Sequence, residues 1–167
     1  KNIKGCFSPG VSNRVYFELE LANMGIRCFL ADYSVNYPPI THPLFDFEKV
    51  YLGSGERTGH FITLKDWVAK KNIDQGDLIL QMDIEGAEYE VILDTEIDFL
   101  KRFRILVIEF HRLDSLLDSI AFEAINLAFR KILSIFEVVH IHPNNATSPT
   151  CYSDFVIPTA MEFTFIR

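Results

Sequence analysis

Gly76-Asp77-Leu78-Ile79-Leu80-Gln81-Met82-Asp83-Ile84-Glu85-Gly86-Ala87-Glu88 is the stretch on which the fold turns. Gly76-Asp77 makes a turn into an almost uninterrupted apolar run, the pattern of a strand buried on both faces. Asp83 and Glu85 share parity, so at the strand end both can point the same way. Gly86 allows a tight turn into a helix over residues 87–93, and Glu88 falls in its first turn, where the helix dipole favours an acid. Glu88 is thereby read as structural. Two acids at the rim of a buried strand are harder to explain as packing, because burying carboxylates is costly.

Outward from this segment, strands and helices alternate. On the carboxyl side, residues 105–108 are the most hydrophobic strand and 113–133 the longest amphipathic helix. Strands follow near 136–141, 154–157 and 161–166. On the amino side the order is a short apolar piece ending at Phe7, a helix over 14–23 capped by Ser12 or Asn13 and stopped at Gly25, and a strand over 26–32. An irregular proline-rich crossing, a strand over 47–52 and a helix over 64–71 come next. Such alternation with apolar strands means an α/β doubly wound, mainly parallel sheet with helices on both faces. Only Pro158-Thr159-Ala160 separates the last two strand segments, too little for a crossover helix, so an antiparallel element is expected at the end.

With 167 residues the chain is expected to be one domain, and 49% hydrophobic residues exclude disorder. A net charge of −7 works against nucleic acid and anionic membrane as partners. Cys6 and Cys28 lie in apolar runs and read as core thiols of a reducing compartment, and Cys151 is left over. No apolar stretch reaches a membrane span and no signal peptide is visible, so a soluble cytoplasmic protein is expected. The chain starts at Lys1 without a Met and reads as trimmed or as a fragment.

Ligands of open α/β sheets bind beyond the carboxyl ends of the strands, where the strand order reverses. The turn Ser8-Pro9-Gly10-Val11-Ser12-Asn13 offers a glycine for close backbone approach and a helix N-terminus. Asp32 closes the next strand 22 residues after Gly10, the place of an acid that grips ribose hydroxyls; the plainer reading is a cap for Tyr33-Ser34. Glu109-Phe110-His111 ends the most apolar strand with a carboxylate and an imidazole on one side, a pair suited to proton transfer. In His140-Ile141-His142-Pro143-Asn144-Asn145 the spacing is poor evidence for a metal. There His142, Asn144 and Asn145 are the candidates for substrate contact.

In order and spacing, Ser8-Pro9-Gly10-Val11-Ser12-Asn13, Phe17-Glu18, Ala31-Asp32, Asp83-Ile84-Glu85-Gly86-Ala87-Glu88 and Val107-Ile108-Glu109-Phe110-His111 resemble the FkbM-type S-adenosylmethionine-dependent methyltransferases, and Met161-Glu162-Phe163-Thr164 is similar to their ending. The resemblance implies a class I methyltransferase (Rossmann-like) fold of seven strands, the last antiparallel. It also implies S-adenosylmethionine as cofactor and transfer to an oxygen of a sugar, polyketide or related metabolite. Pro9, Gly10 and Ser12 match the motif around the methionine part of the cofactor, Asp32 the ribose acid, and Asp83 the acid beside the transferred methyl. Ser12 stands where the family's first motif has its second glycine, and the chain begins directly at the first strand.

Methyl transfer to an alcohol needs alignment and a base. His111 is the expected base, with Glu109 or Asp83 assisting; a divalent ion held by Asp83, Glu85 or His111 could acidify the hydroxyl instead. Two rivals are a degenerate module that binds a glycan or partner without turnover, and a metal-dependent hydrolase. The intact acid and histidine rim weighs against the first, and the Asp32 spacing against the second.

Overall fold

The computed structural model describes residues 3–55, 57–144 and 148–167. In chain order the elements are β1 (Ile3–Pro9), α1 (Tyr16–Asn23), β2 (Cys28–Ala31), β3 (Phe45–Glu48), β4 (Tyr51–Leu52), β5 (Phe61–Ile62), α2 (Leu64–Lys70), β6 (Asp77–Met82), α3 (Glu88–Asp94), α4 (Ile97–Leu100), β7 (Phe103–His111), a 3₁₀ turn (Leu113–Leu117), α5 (Ser119–Leu133), β8 (Glu137–Pro143), β9 (Thr150–Tyr152), β10 (Phe155–Ile157) and β11 (Ala160–Ile166). Seven strands form one sheet in the order β3-β2-β1-β6-β7-β11-β8. β3, β2, β1, β6 and β7 run parallel, and β11 lies antiparallel between β7 and β8. The chain leaves β1 toward β2 and β3, then returns on its other side with β6. The order therefore reverses between β1 and β6, and a crevice opens at their carboxyl ends.

Strand parity divides the core. Phe7, Phe29, Leu80, Leu106 and Phe165 face the helical layer, where Trp67, Val68, Ile92, Ala128 and Ile132 complete the main cluster. Cys6, Cys28 and Ile79 face the other way and meet Leu21 of α1. There a second small cluster joins Val11, Val15 and Leu30 to Ile40 of the crossing segment. Cys6 and Cys28 are buried free thiols and Cys151 is exposed. Among the described residues no helix is long and apolar enough to cross a membrane.

Several expected boundaries are corrected. The strand expected over 47–52 is two: Val50 N–H donates to Glu48 O at 3.0 Å, turning the chain out of the main sheet, and β4 then pairs with β5. The helix expected over 113–133 breaks at Asp118, whose carboxylate accepts from the N–H groups of Ile120 and Ala121 at 3.0 and 2.9 Å and starts α5 there. β10 pairs with β9 rather than with β11. The terminal strand is antiparallel because it inserts beside β7, not because of the short link before it. Helix α1 starts at Tyr16 with Val15 as an N-cap that offers no side-chain bond, so neither Ser12 nor Asn13 is the cap.

Helix α1 also buries an acid that its apolar spacing did not reveal. Glu18 is 3% exposed. Ser8 Oγ lies 2.5 Å from Glu18 Oε1 and 2.6 Å from Gln81 Oε1. The Ser8 hydroxyl thus stands between the Glu18 carboxyl and the Gln81 amide inside the fold. Burial raises the Glu18 pKa above its ordinary 4.5, against the opposing pull of the Ser8 hydrogen bond. The folded state then holds a proton that the unfolded state has lost, and stability falls as pH rises above about 4.5. Glu18→Gln keeps the hydrogen bonds without the titration. It is expected to flatten the stability profile between pH 4.5 and 7 and to raise stability at pH 7, as measured by urea unfolding across that range. An unchanged slope would show that Glu18 is ionised in the fold.

Candidate active site

The first wall of the crevice is built by backbone. Pro9 O accepts from Asp83 N–H at 3.2 Å, and Gly10 N–H donates to Ala31 O at 2.9 Å, so the ends of β1, β2 and β6 are tied at one point. Gly10 sits at φ +87°, and a Cβ there would stand 1.5 Å from the carbonyl oxygen of Asp83. The glycine is thus required by the chain's own packing at the mouth of the cleft. Pro9 is buried in β1 and is not among the residues lining the crevice.

Ser12 has φ +42°, in the left-handed region that favours glycine. Its N–H donates to Asp32 Oδ2 at 2.8 Å. Asp32 Oδ1 accepts from both the N–H and the hydroxyl of Ser34, at 2.8 and 2.7 Å. Asp32 therefore does cap Ser34, and it also holds the glycine turn in place. A carboxylate has about four lone-pair sites, so one remains for a ligand, and a second is freed if the Ser34 hydroxyl turns away.

Gly10, Ser12, Asp32, Asp83 and Glu85 line one cleft of about 470 Å³. Its opposite wall was missed in the sequence: Tyr51 and Phe61, cross-strand partners with ring centroids 5.4 Å apart, and Arg57, which pairs with Glu90 and lies over the Phe61 ring. The signal was two aromatics flanking a glycine-rich loop. Only the pairing of β4 with β5 shows that this loop folds back on the crevice.

Beside the cleft, carboxylates crowd round one imidazole. His111 Nδ1 is 3.0 Å from Glu88 Oε1, and Nε2 is 3.7 Å from Asp83 Oδ1 and 3.6 Å from Glu85 Oε2. Glu88 is fully buried and also accepts from the N–H groups of Ile84 and Gly86, so it shapes the turn as well as holding the ring. Tyr89 donates its hydroxyl to the His111 carbonyl at 2.7 Å and fixes the strand end. The Glu88 bond, against the effect of burial, raises His111 to about 9, with Asp83 and Glu109 adding to it. Burial, then the nearby Glu109 charge, pushes Asp83 up to about 7. Burial works the same way on Glu88, but the bonds from His111 and Gly86 outweigh it and hold that carboxyl below its ordinary value. The carboxylates around the ring thus favour its protonated form. The groups titrate as one coupled unit.

Asp83, Glu109 and His111 are the residues among those described that could hold a metal ion together. Glu85 is 87% exposed at its side chain and stands outside that set. Asn144 Nδ2 donates to Glu109 Oε1 at 2.5 Å, which brings Asn144 to the cluster. His142 pairs in register with Glu162 on β11, which pairs with Glu109, so it lies two strands away from Glu109. His140 and His142 stack with centroids 6.4 Å apart and belong to no metal-binding group among the described residues. Asn145 lies outside the described residues.

Against known proteins, the methyltransferase FkbM domain family model matches residues 54–146. No curated protein sequence matches the chain. Among solved structures, a DNA modification methyltransferase encoded within an E. coli prophage aligns with a TM-score of 0.55 and 12% identity. The alignment covers 98% of this chain and 47% of that one. The methyltransferase domain of bacterial CtHen1-CN aligns with a TM-score of 0.49 and 12% identity, over 98% and 90% of the two chains. This chain thus spans about half the length of the first, and that likeness shows a shared methyltransferase fold. With over half of its residues inside the family match and the sheet order of that fold around its cleft, the chain belongs to the FkbM methyltransferase domain family.

Proposed function

We propose that the chain is an S-adenosylmethionine-dependent O-methyltransferase acting on a hydroxyl of a sugar, polyketide or similar small molecule or glycan. The observation that carries this reading is the convergence of the Gly10 turn, Asp32 and Asp83 on one cleft, with the Asp83–Glu109–His111 cluster at its edge. The cleft is of the size that small-molecule ligands fill. When bound, the cofactor supplies an electrophilic methyl; the acceptor oxygen gains the carbon and the sulfur keeps the electron pair. Asp32 would hold the ribose through its free lone pair, and the Gly10–Ser12 backbone would face the methionine part. The hydroxyl proton passes to the cluster acting as a unit rather than to a neutral His111 alone. An acidic rim of Asp83, Glu85 and Glu109 favours an uncharged acceptor over a polyphosphate backbone. Asn144 through Glu109, and His142 beyond it, are the acceptor-side residues of this reading.

Calorimetry with S-adenosylmethionine and its demethylated product tests the reading, with one site per chain expected. Asp32→Ala is expected to weaken that affinity roughly ten- to hundred-fold, the size of about 1.5–3 kcal/mol for charge-assisted bonds. Stability falls as well, because Ser12 and Ser34 lose their acceptor. A variant that loses stability but binds with unchanged affinity would show that Asp32 is a cap and nothing more. No binding by the wild-type chain would remove the methyltransferase reading.

A further inference from the structure

One donor atom each from Asp83, Glu109 and His111 lies within 4.8 Å of the others. His111 Nε2 and Asp83 Oδ1 are 3.7 Å apart, too far for a hydrogen bond. That separation suits two ligands of one ion, each roughly 2.1 Å from it. Crowded carboxylates alone prove little, but three further features point to a cation. Asp83 Oδ1 is closed off from solvent and has no hydrogen-bond partner, which is rare for a buried polar oxygen. Two of the three residues are held from behind by side chains outside the set. Fully buried Glu88 takes His111 Nδ1 and so turns Nε2 toward Asp83, and Asn144 donates to Glu109. Metal ligands are characteristically oriented in this way. Finally, Asp83, Glu85 and Glu88 all pair with the same imidazole, and among the described ion pairs no lysine or arginine answers Asp83, Glu88 or Glu109.

We propose that Asp83, Glu109 and His111 bind one divalent cation of the Mn²⁺ or Mg²⁺ class. Two carboxylates and one imidazole form a set rich in hard oxygen donors, and three protein ligands leave positions open for water or an acceptor oxygen. The site's existence does not depend on methyl transfer, but its use rests on that reading. A cation held by these three residues would acidify an acceptor hydroxyl, whose proton would leave for solvent or a neighbouring carboxylate as the oxygen takes the methyl. Glu109 thereby replaces the exposed Glu85 of the set suggested by sequence.

The test is titration of the whole chain with Mn²⁺, followed by calorimetry and by electron paramagnetic resonance of the free ion, with Mg²⁺ as competitor. One site per chain is expected. Asp83→Asn and Glu109→Gln should each weaken it by at least about tenfold, whereas Glu85→Gln should change affinity less than about twofold. Melting temperatures check that the variants fold; should Asp83→Asn fail, Glu109→Gln carries the test alone. Absence of Mn²⁺ binding, or binding that the folded variants leave unchanged, overturns the site. Titration with S-adenosylmethionine on the same samples separates the two proposals. Cofactor binding without cation binding overturns this one, and cation binding without cofactor binding overturns methyl transfer while the site stands.

Discussion

His111→Ala is expected to slow methyl transfer a hundred- to ten-thousand-fold in single-turnover measurements, the range typical of a lost acid–base group. Cofactor affinity should hardly change, because His111 does not line the cleft in which Gly10 and Asp32 sit. Stability will fall too, since the fully buried Glu88 loses its partner at Nδ1. Melting data alone therefore cannot assign the role. His111→Asn keeps a side-chain N–H close to where Nδ1 meets Glu88 but has nothing in place of Nε2. It is expected to recover much of the lost stability and none of the lost turnover. If the asparagine variant transfers methyl at the wild-type rate, the ring is only a brace between β7 and α3.

Gly10→Ala should do more structural damage than the same change at the other glycines. At φ +87° the new Cβ meets the Asp83 carbonyl oxygen at 1.5 Å and its carbon at 2.6 Å. Left-handed strain of about 1–3 kcal/mol adds to an overpacking cost of about 1–3 kcal/mol, together roughly 2–6 kcal/mol. That corresponds to a fall in Tm of roughly 4–24 °C for a domain of this size. Relief requires the end of β6 to move away from β1, which displaces Asp83, so cofactor binding is lost with the stability. Gly25→Ala separates strain from collision: it has φ +82° and nothing within 4 Å of the new Cβ. It should cost only about 1–2 kcal/mol. Equal losses at the two positions would mean that the Gly10 turn does not press on β6.

The layout of strands and helices was legible because it depends on local pattern. Leu78 to Met82 could only be a strand buried on both faces, and the acids after it could only sit at its rim. Asp32 and Gly10 were legible by spacing for the same reason, since strand–helix–strand geometry places them at adjacent strand ends. Breaks such as Asp118 were hidden by a hydrophobic periodicity that runs on across them. The buried Glu18 was hidden because burial of an acid is decided by its partner, here Ser8 on β1, whose hydroxyl also meets Gln81 far along the chain.

By itself the sequence determined the α/β alternation, the parallel core strands and the presence of acids at the carboxyl rim of β2, β6 and β7, because side-chain periodicity and turn chemistry act over a few residues. Only the tertiary structure decided which acids work together. It turned Glu85 outward, drew Glu109 toward Asp83 across the β6–β7 pair and fixed His111 on Glu88, 23 residues earlier in the chain. It also inserted β11 between β7 and β8, and it folded Tyr51 and Phe61 over the cleft. Long-range pairing sets these distances, and a charge's partner and exposure follow from distance, which no local pattern encodes.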